Sequence, residues 1–140
     1  MKNVVAIIQA RMSSTRLPGK VLKPLIGKPI IHHIYERVKR CSEVDNVVVA
    51  TSTDLSDDEL YRYCEDNQIT CIRGDLQNVL QRFFDVLAKY PSQYIVRITG
   101  DCPLIHPPFI DDQIRALKYF DADLTSVSYT HLTLPTILRV

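Results

Sequence analysis

Along this chain, short runs that are apolar at every position alternate with stretches of helical period. Val4-Val5-Ala6-Ile7-Ile8 is continuous in this sense, as expected of a strand covered on both faces of a parallel sheet. From Lys28 to Cys41, the positions Ile30, Ile34, Val38 and Cys41 share one side and Pro29 suits a first turn, which predicts an amphipathic helix. Asn46 to Thr51 reads as a second buried strand. Ser56 to Asn67 reads as a helix, with Ser56 and Glu59 at the capping-box spacing. A short strand from Ile69 to Arg73, a helix from Asn78 to Tyr90 and a strand from Tyr94 to Thr99 continue the alternation. A helix from Pro108 to Phe120 and a strand from Asp123 to Val127 close it.

Strands separated by helices of this length predict an α/β fold, a mostly parallel sheet with helices on both faces joined by right-handed crossovers. In such sheets, ligands bind beyond the carboxyl ends of the strands. The stretch Gln9 to Lys20, after the first strand, and Gly100-Asp101-Cys102-Pro103-Leu104, after the strand ending at Thr99, both fall on that edge. Two loops distant in sequence are therefore expected to face one pocket.

The segment 129–140 breaks the pattern, with no helical period and no convincing alternation. It resembles the peptide obtained by translating a sequencing-adapter stretch. The expectation is a domain over 1–128 followed by an irregular, non-native tail, with a genuine irregular tail as the alternative.

Composition narrows the function classes. The 140 residues are 46% hydrophobic and 24% charged with net charge +1, so one ordinary globular domain is expected and no basic footprint for nucleic acid exists. No run approaches the twenty or so apolar residues of a membrane span, and no secretory signal pattern is present, which together point to a cytoplasmic protein with no membrane partner. Cys41, Cys64, Cys71 and Cys102 are scattered without metal or disulfide spacing and read as reduced core residues.

The chemistry is concentrated in the first loop. Arg11, Arg16 and Lys20 fall within ten residues, with Ser13, Ser14 and Thr15 among them and Gly19 free to adopt backbone angles closed to other residues. Cations, hydroxyls and backbone N–H groups together suit a nucleoside triphosphate. The other reading is a solvated charged loop. Neither G-x-x-x-x-G-K-[ST] nor G-x-G-x-x-G occurs, so neither a P-loop nor a dinucleotide site is indicated. His32 and His33 lie on a helix beside an apolar face, with no third ligand at a supporting spacing. Asp101 reads equally as a metal carboxylate and as a turn former.

The order Ala-Arg-x-x-Ser-Thr-Arg-Leu-Pro-Gly-Lys-x-Leu over residues 10–22, Gly27-Lys28-Pro29 ahead of a helix, and Gly100-Asp101-x-Pro103 carry a resemblance. Over about residues 3 to 127 the chain resembles the cytidylyltransferases among the sugar-activating nucleotidyltransferases: the spore-coat polysaccharide, acylneuraminate and deoxyoctulosonate branches. The resemblance implies a Rossmann-like three-layer α/β/α fold of the nucleotide-diphospho-sugar transferase type, incomplete at its C-terminus. It implies transfer of CMP from CTP to a sugar acid or related sugar with release of pyrophosphate, and a homodimer in the full-length protein. Arg11, Arg16 and Lys20 match the family's catalytic triphosphate loop, and Asp101 matches the carboxylate that holds Mg²⁺. Ala10, through its main chain, and Asn78 or Gln81 match the region that reads the base, although Asp75 or Asn78 fits a helix cap equally well. A uridylyl- or thymidylyltransferase, and a non-catalytic nucleotide-binding module, are the rival readings.

Overall fold

A computed structural model of the chain describes residues 3–129 and 132–140. The first strand, β1 (Val4–Gln9), lies at the centre of a six-stranded sheet. A 3-10 turn (Lys20–Leu22) and a two-residue hairpin of β2 (Pro24–Leu25) and β3 (Lys28–Pro29) lead into α1 (Ile30–Val38). Then come β4 (Asn46–Ser52), α2 (Asp58–Asp66), β5 (Cys71–Gly74), α3 (Val79–Lys89), β6 (Tyr94–Thr99), α4 (Pro107–Tyr119), β7 (Leu124–Tyr129) and β8 (Leu132–Arg139). The sheet order is β5-β4-β1-β6-β8-β7, with the first four strands parallel.

Period-two alternation in β1 divides the core. Val4, Ala6 and Ile8 face Ile31 and Ile34 of α1, Leu60 and Cys64 of α2, and Ile110, Ile114 and Leu117 of α4. Val5 and Ile7 face Phe83 and Val86 of α3. Every residue from Val4 to Ile8 is fully buried, which is why the run carries no polar position. The expected α/β architecture with a mostly parallel sheet is the one observed. Among the described residues, no helix is long and apolar enough to cross a membrane. The four cysteines are free thiols, two of them buried and two half-buried.

Two expectations are corrected. The segment expected to be an irregular tail is regular where it is described: β7 runs to Tyr129, and β8 pairs antiparallel with both β6 and β7. The free backbone edge of β6 supplies the partner that the weak local pattern concealed, and Ile137 is buried there. The β7–β8 register shifts between Ser126 and Ser128, opposite the stretch that holds Pro135, a residue with no N–H for the ladder. Nor does Ser56 open a capping box. Asp54 accepts from the Ser56 amide at 2.9 Å and from its hydroxyl at 2.6 Å, forming a 3-10 turn (Leu55–Asp57) ahead of α2. The hydroxyl that would have capped the helix is already engaged.

Candidate functional site

The loop after β1 is closed on itself at Met12. The Met12 carbonyl accepts from the amides of Ser14 and Gly19, each at 2.9 Å, and the Leu17 amide donates to Ser14 Oγ at 3.3 Å. Gly19 holds φ +68°, in the left-handed region, and a Cβ added there would stand 3.4 Å from Met12 Cε. The turn at Gly19 sends Lys20 back toward the sheet edge. There the β6 end meets the β1 end: Gly100 N donates to Gln9 O at 2.9 Å, and Ala10 N donates to Ala50 O at 3.1 Å.

These contacts bring the two loops to one cleft of about 470 Å³. Lys20 Nζ stands 3.7 Å from Asp101 Oδ2 across it. Ala10, Arg11, Ser14, Thr15, Arg16, Lys20 and Asp101 line the cleft, as does Gly100. Ser13 is exposed beside it, and Gly19 shapes the loop without lining the space. Asn78 is not among the lining residues: its side chain accepts from the Gln81 amide at 3.0 Å and caps α3. Asp75 Oδ1 supports the same turn, accepting from the amides of Gln77 and Asn78 at 2.7 Å each. Gln81 is turned to Asp85, donating from Nε2 at 3.1 Å. The capping alternative accounts for these positions.

Among the described residues, no three His, Cys, Asp or Glu side chains are grouped to hold a metal ion. Asp101 is therefore a lone carboxylate, half-exposed at the mouth of a cationic loop. A hard divalent ion that takes most of its ligands from phosphate and water fits such a site; an ion needing an all-protein cage does not.

Several residues of this region were not singled out from sequence. Arg97 and Thr99 line the cleft from β6, and strand alternation from Ile95 places them on the α3 side. Gln9 also lines it, and its Oε1 is buried with no partner. Arg82 sits on α3 at 2% exposure, with Nε and Nη1 unpartnered. Burial pushes its guanidinium below the usual range, which the Asp57 and Asp75 charges oppose and Arg11 reinforces. Gly74 makes the room, since a Cβ there would lie 2.8 Å from Arg82 Cγ. A charged residue at the core spacing of Val79, Phe83 and Val86 was the legible signal. Asp57 had none, reading as one more acid near a helix start; it is fully buried, accepting from Met12 N at 2.6 Å, Ser52 N at 3.3 Å and the Ser52 hydroxyl.

His32 and His33 both make internal contacts. His33 Nε2 donates to Leu25 O at 2.5 Å, and His32 Nδ1 lies 2.7 Å from the Tyr63 hydroxyl. Arg73, near the same edge, is a clamp: it donates to Ser52 O at 2.7 Å and to Asp54 O at 2.9 Å, and pairs with Asp58 at 2.7 Å.

The chain is 39% identical over 125 residues to the spore coat polysaccharide biosynthesis protein SpsF of Bacillus subtilis, covering 86% of the chain and 51% of that protein. It is 37% identical over 115 residues to the 3-deoxy-manno-octulosonate cytidylyltransferase of Geobacter sulfurreducens, covering 82% and 45%. The solved structure of a cytidylyltransferase from Leptospira borgpetersenii superposes with a TM-score of 0.88 at 32% identity, over 99% of this chain and 61% of that one. The chain thus spans about half the length of the curated relatives it matches. The cytidylyltransferase family model matches residues 5–136, and with the basic loop and Asp101 in place within that span the chain belongs to the cytidylyltransferase family.

Proposed function

We propose that this chain is the CTP-binding part of an enzyme that transfers CMP to a sugar acid or related sugar and releases pyrophosphate. The observation that carries the reading is the convergence of Arg11, Arg16 and Lys20 with Asp101 on one cleft at the carboxyl edge of the parallel strands. In the reaction, an acceptor hydroxyl gives up its proton to solvent as its oxygen attacks the α-phosphorus, a new O–P bond forms, and the bond to the β-phosphate oxygen breaks. Charge then accumulates on the departing pyrophosphate. Arg11, Arg16 and Lys20 stabilise that charge by position, since nucleotidyl transfer asks little covalent work of a protein. Asp101 would hold Mg²⁺ together with the nucleotide phosphates, and the ion when bound would neutralise phosphate charge. The main chain at Ala10, and Ser14 and Thr15, supply neutral contacts along the phosphates. The preference for cytosine, and the sugar-acid acceptor, are drawn from the relatives.

Calorimetry with Mg-CTP, Mg-UTP and Mg-dTTP tests the reading. Mg-CTP is expected to bind tightest, and Lys20→Ala is expected to weaken it by about tenfold to hundredfold, the loss of one charge-assisted contact. Binding of all three with equal affinity refutes the base preference. Wild-type affinity in both Lys20→Ala and Asp101→Ala refutes the site.

A further inference from the structure

We propose that Asp57 is a positioning residue for nucleotide binding: its buried carboxylate fixes the Met12 amide and so holds the phosphate loop in its binding shape before ligand arrives. The inference rests on the reading of that loop as the triphosphate site. It follows from how the loop is attached. The amides of Ser14 and Gly19 both donate to the Met12 carbonyl, so the two ends of the loop meet at one residue. Leu17 O and Gly19 O accept from the next turn, at Lys20 N and Leu22 N; among the described residues, the bond from Met12 N to Asp57 Oδ1, at 2.6 Å, is the single hydrogen bond that ties residues 11–19 to a part of the chain distant in sequence.

The other carboxylate oxygen is set on the sheet. Asp57 Oδ2 accepts from the amide and hydroxyl of Ser52, the last residue of β4, whose side chain is fully buried. Asp57 is thus a bridge with one oxygen on a rigid strand and the other on the loop. Only a carboxylate has the acceptor capacity for three donors at this spacing. The Arg82 guanidinium, buried on α3, is the cation whose charge Asp57 supports. Arg11, Ser13, Thr15 and Arg16 are all exposed, so their stretch of backbone is held at Met12, whose amide is fixed by Asp57 and whose side chain packs against the core. A loop held at its hub presents its cations and amides without losing freedom when phosphate binds.

The test uses Asp57→Ala, Asp57→Asn and Ser52→Ala, with Mg-CTP and inorganic tripolyphosphate titrated at a temperature where each variant is folded. Asp57→Ala removes all three acceptor contacts and is expected to weaken both ligands by about tenfold or more. Asp57→Asn keeps an oxygen for Met12 and can donate to the Ser52 hydroxyl but leaves the Ser52 amide without its acceptor, so stability is expected to fall while most of the affinity returns. Ser52→Ala disturbs the same buried cluster without touching the Met12 bond; it should lower the melting temperature and leave affinity unchanged. An affinity that follows melting temperature across the three, or an Asp57→Ala protein that binds like wild type, overturns the proposal.

If Asp57→Ala does not fold, amide exchange of the wild-type protein decides. A Met12 amide protected to the level of β1 supports the positioning role, and exchange at the rate of an open loop overturns it. Failure of the wild type to bind either ligand is a different result: it removes the nucleotide reading itself, with the variants playing no part.

Discussion

Gly100→Ala is the sharpest single test of how the two loops are brought together. Gly100 has no left-handed backbone angle, so the cost of a methyl there is steric alone. Its Cβ would lie 3.0 Å from Ala10 Cβ, 3.0 Å from Gln9 O and 3.3 Å from Ala10 Cα. Two of these are main-chain atoms and the third is a methyl with no torsion that could move it aside. The β6 end must therefore retreat from the β1 end by several tenths of an ångström, straining the 2.9 Å bond from Gly100 N to Gln9 O. Overpacking of this kind costs about 1–3 kcal/mol. For a domain of this size, that corresponds to a fall of about 3–9 °C in melting temperature. Because Ala10 and Asp101 flank the contact, the cleft should widen as well, and Mg-CTP affinity should fall along with stability. Gly27→Ala is the control: nothing lies within 4 Å of its Cβ, and its φ of +78° makes the cost purely conformational. That variant should lose about 1 kcal/mol and keep its affinity. Thermal unfolding and calorimetry on both proteins provide the reading. A Gly100→Ala protein that melts within about 1 °C of wild type and binds Mg-CTP equally well would refute the close approach of the two loops.

Other outcomes follow from the same geometry. Ile26, at the tip of the β2–β3 hairpin, holds φ 48° while 91% exposed, a left-handed conformation costly for a β-branched residue. Ile26→Asn should therefore raise stability by about 1 kcal/mol, visible as a higher denaturant midpoint at constant slope. Asp111 is buried on α4 and accepts from Ser42 N at 2.9 Å, Ser42 Oγ at 3.0 Å and Glu43 N at 2.9 Å. Asp111→Ala should cost about 2–4 kcal/mol by stranding those amides, measured by denaturant unfolding. Burial, with help from the Asp111 charge, pushes the Cys41 thiol up to about 12. The folded state thus keeps a proton that the unfolded thiol gives up, so the Cys41 contribution is intact below the ordinary thiol range and is lost as pH rises toward 12. Alkylation at pH 8 should accordingly spare Cys41 in the native protein and reach it on unfolding.

The long strands and helices from Val4 to Tyr119 were legible because each carries its own period or its own unbroken apolar run, whereas the two-residue strands β2 and β3 are too short to carry either. The loop was legible because its charges and hydroxyls crowd into a dozen positions. What escaped the sequence depends on contacts between distant residues. β8 is a strand because β6 offers it an edge, and no local pattern announces that. Asp57 is indistinguishable from Asp54 or Asp58 in a run of acids until the fold buries it beside Met12. Asn78 stayed open for the opposite reason, since a side chain suited to reading a base is also suited to capping α3, and nothing in its neighbours separates the two uses.

The Lys20–Asp101 pair makes each residue the counterion of the other in the free protein. A divalent cation arriving alone meets an ammonium beside the carboxylate it needs. A polyphosphate arriving alone meets a carboxylate beside the ammonium it needs. On the proposed function, only the two together would exchange one balanced set of charges for another, the carboxylate turning to the metal and the ammonium to phosphate. Metal and nucleotide would then be thermodynamically linked through this one contact, each raising the other's affinity by the same factor. The closed pair would then act as a filter for the complex over either of its components.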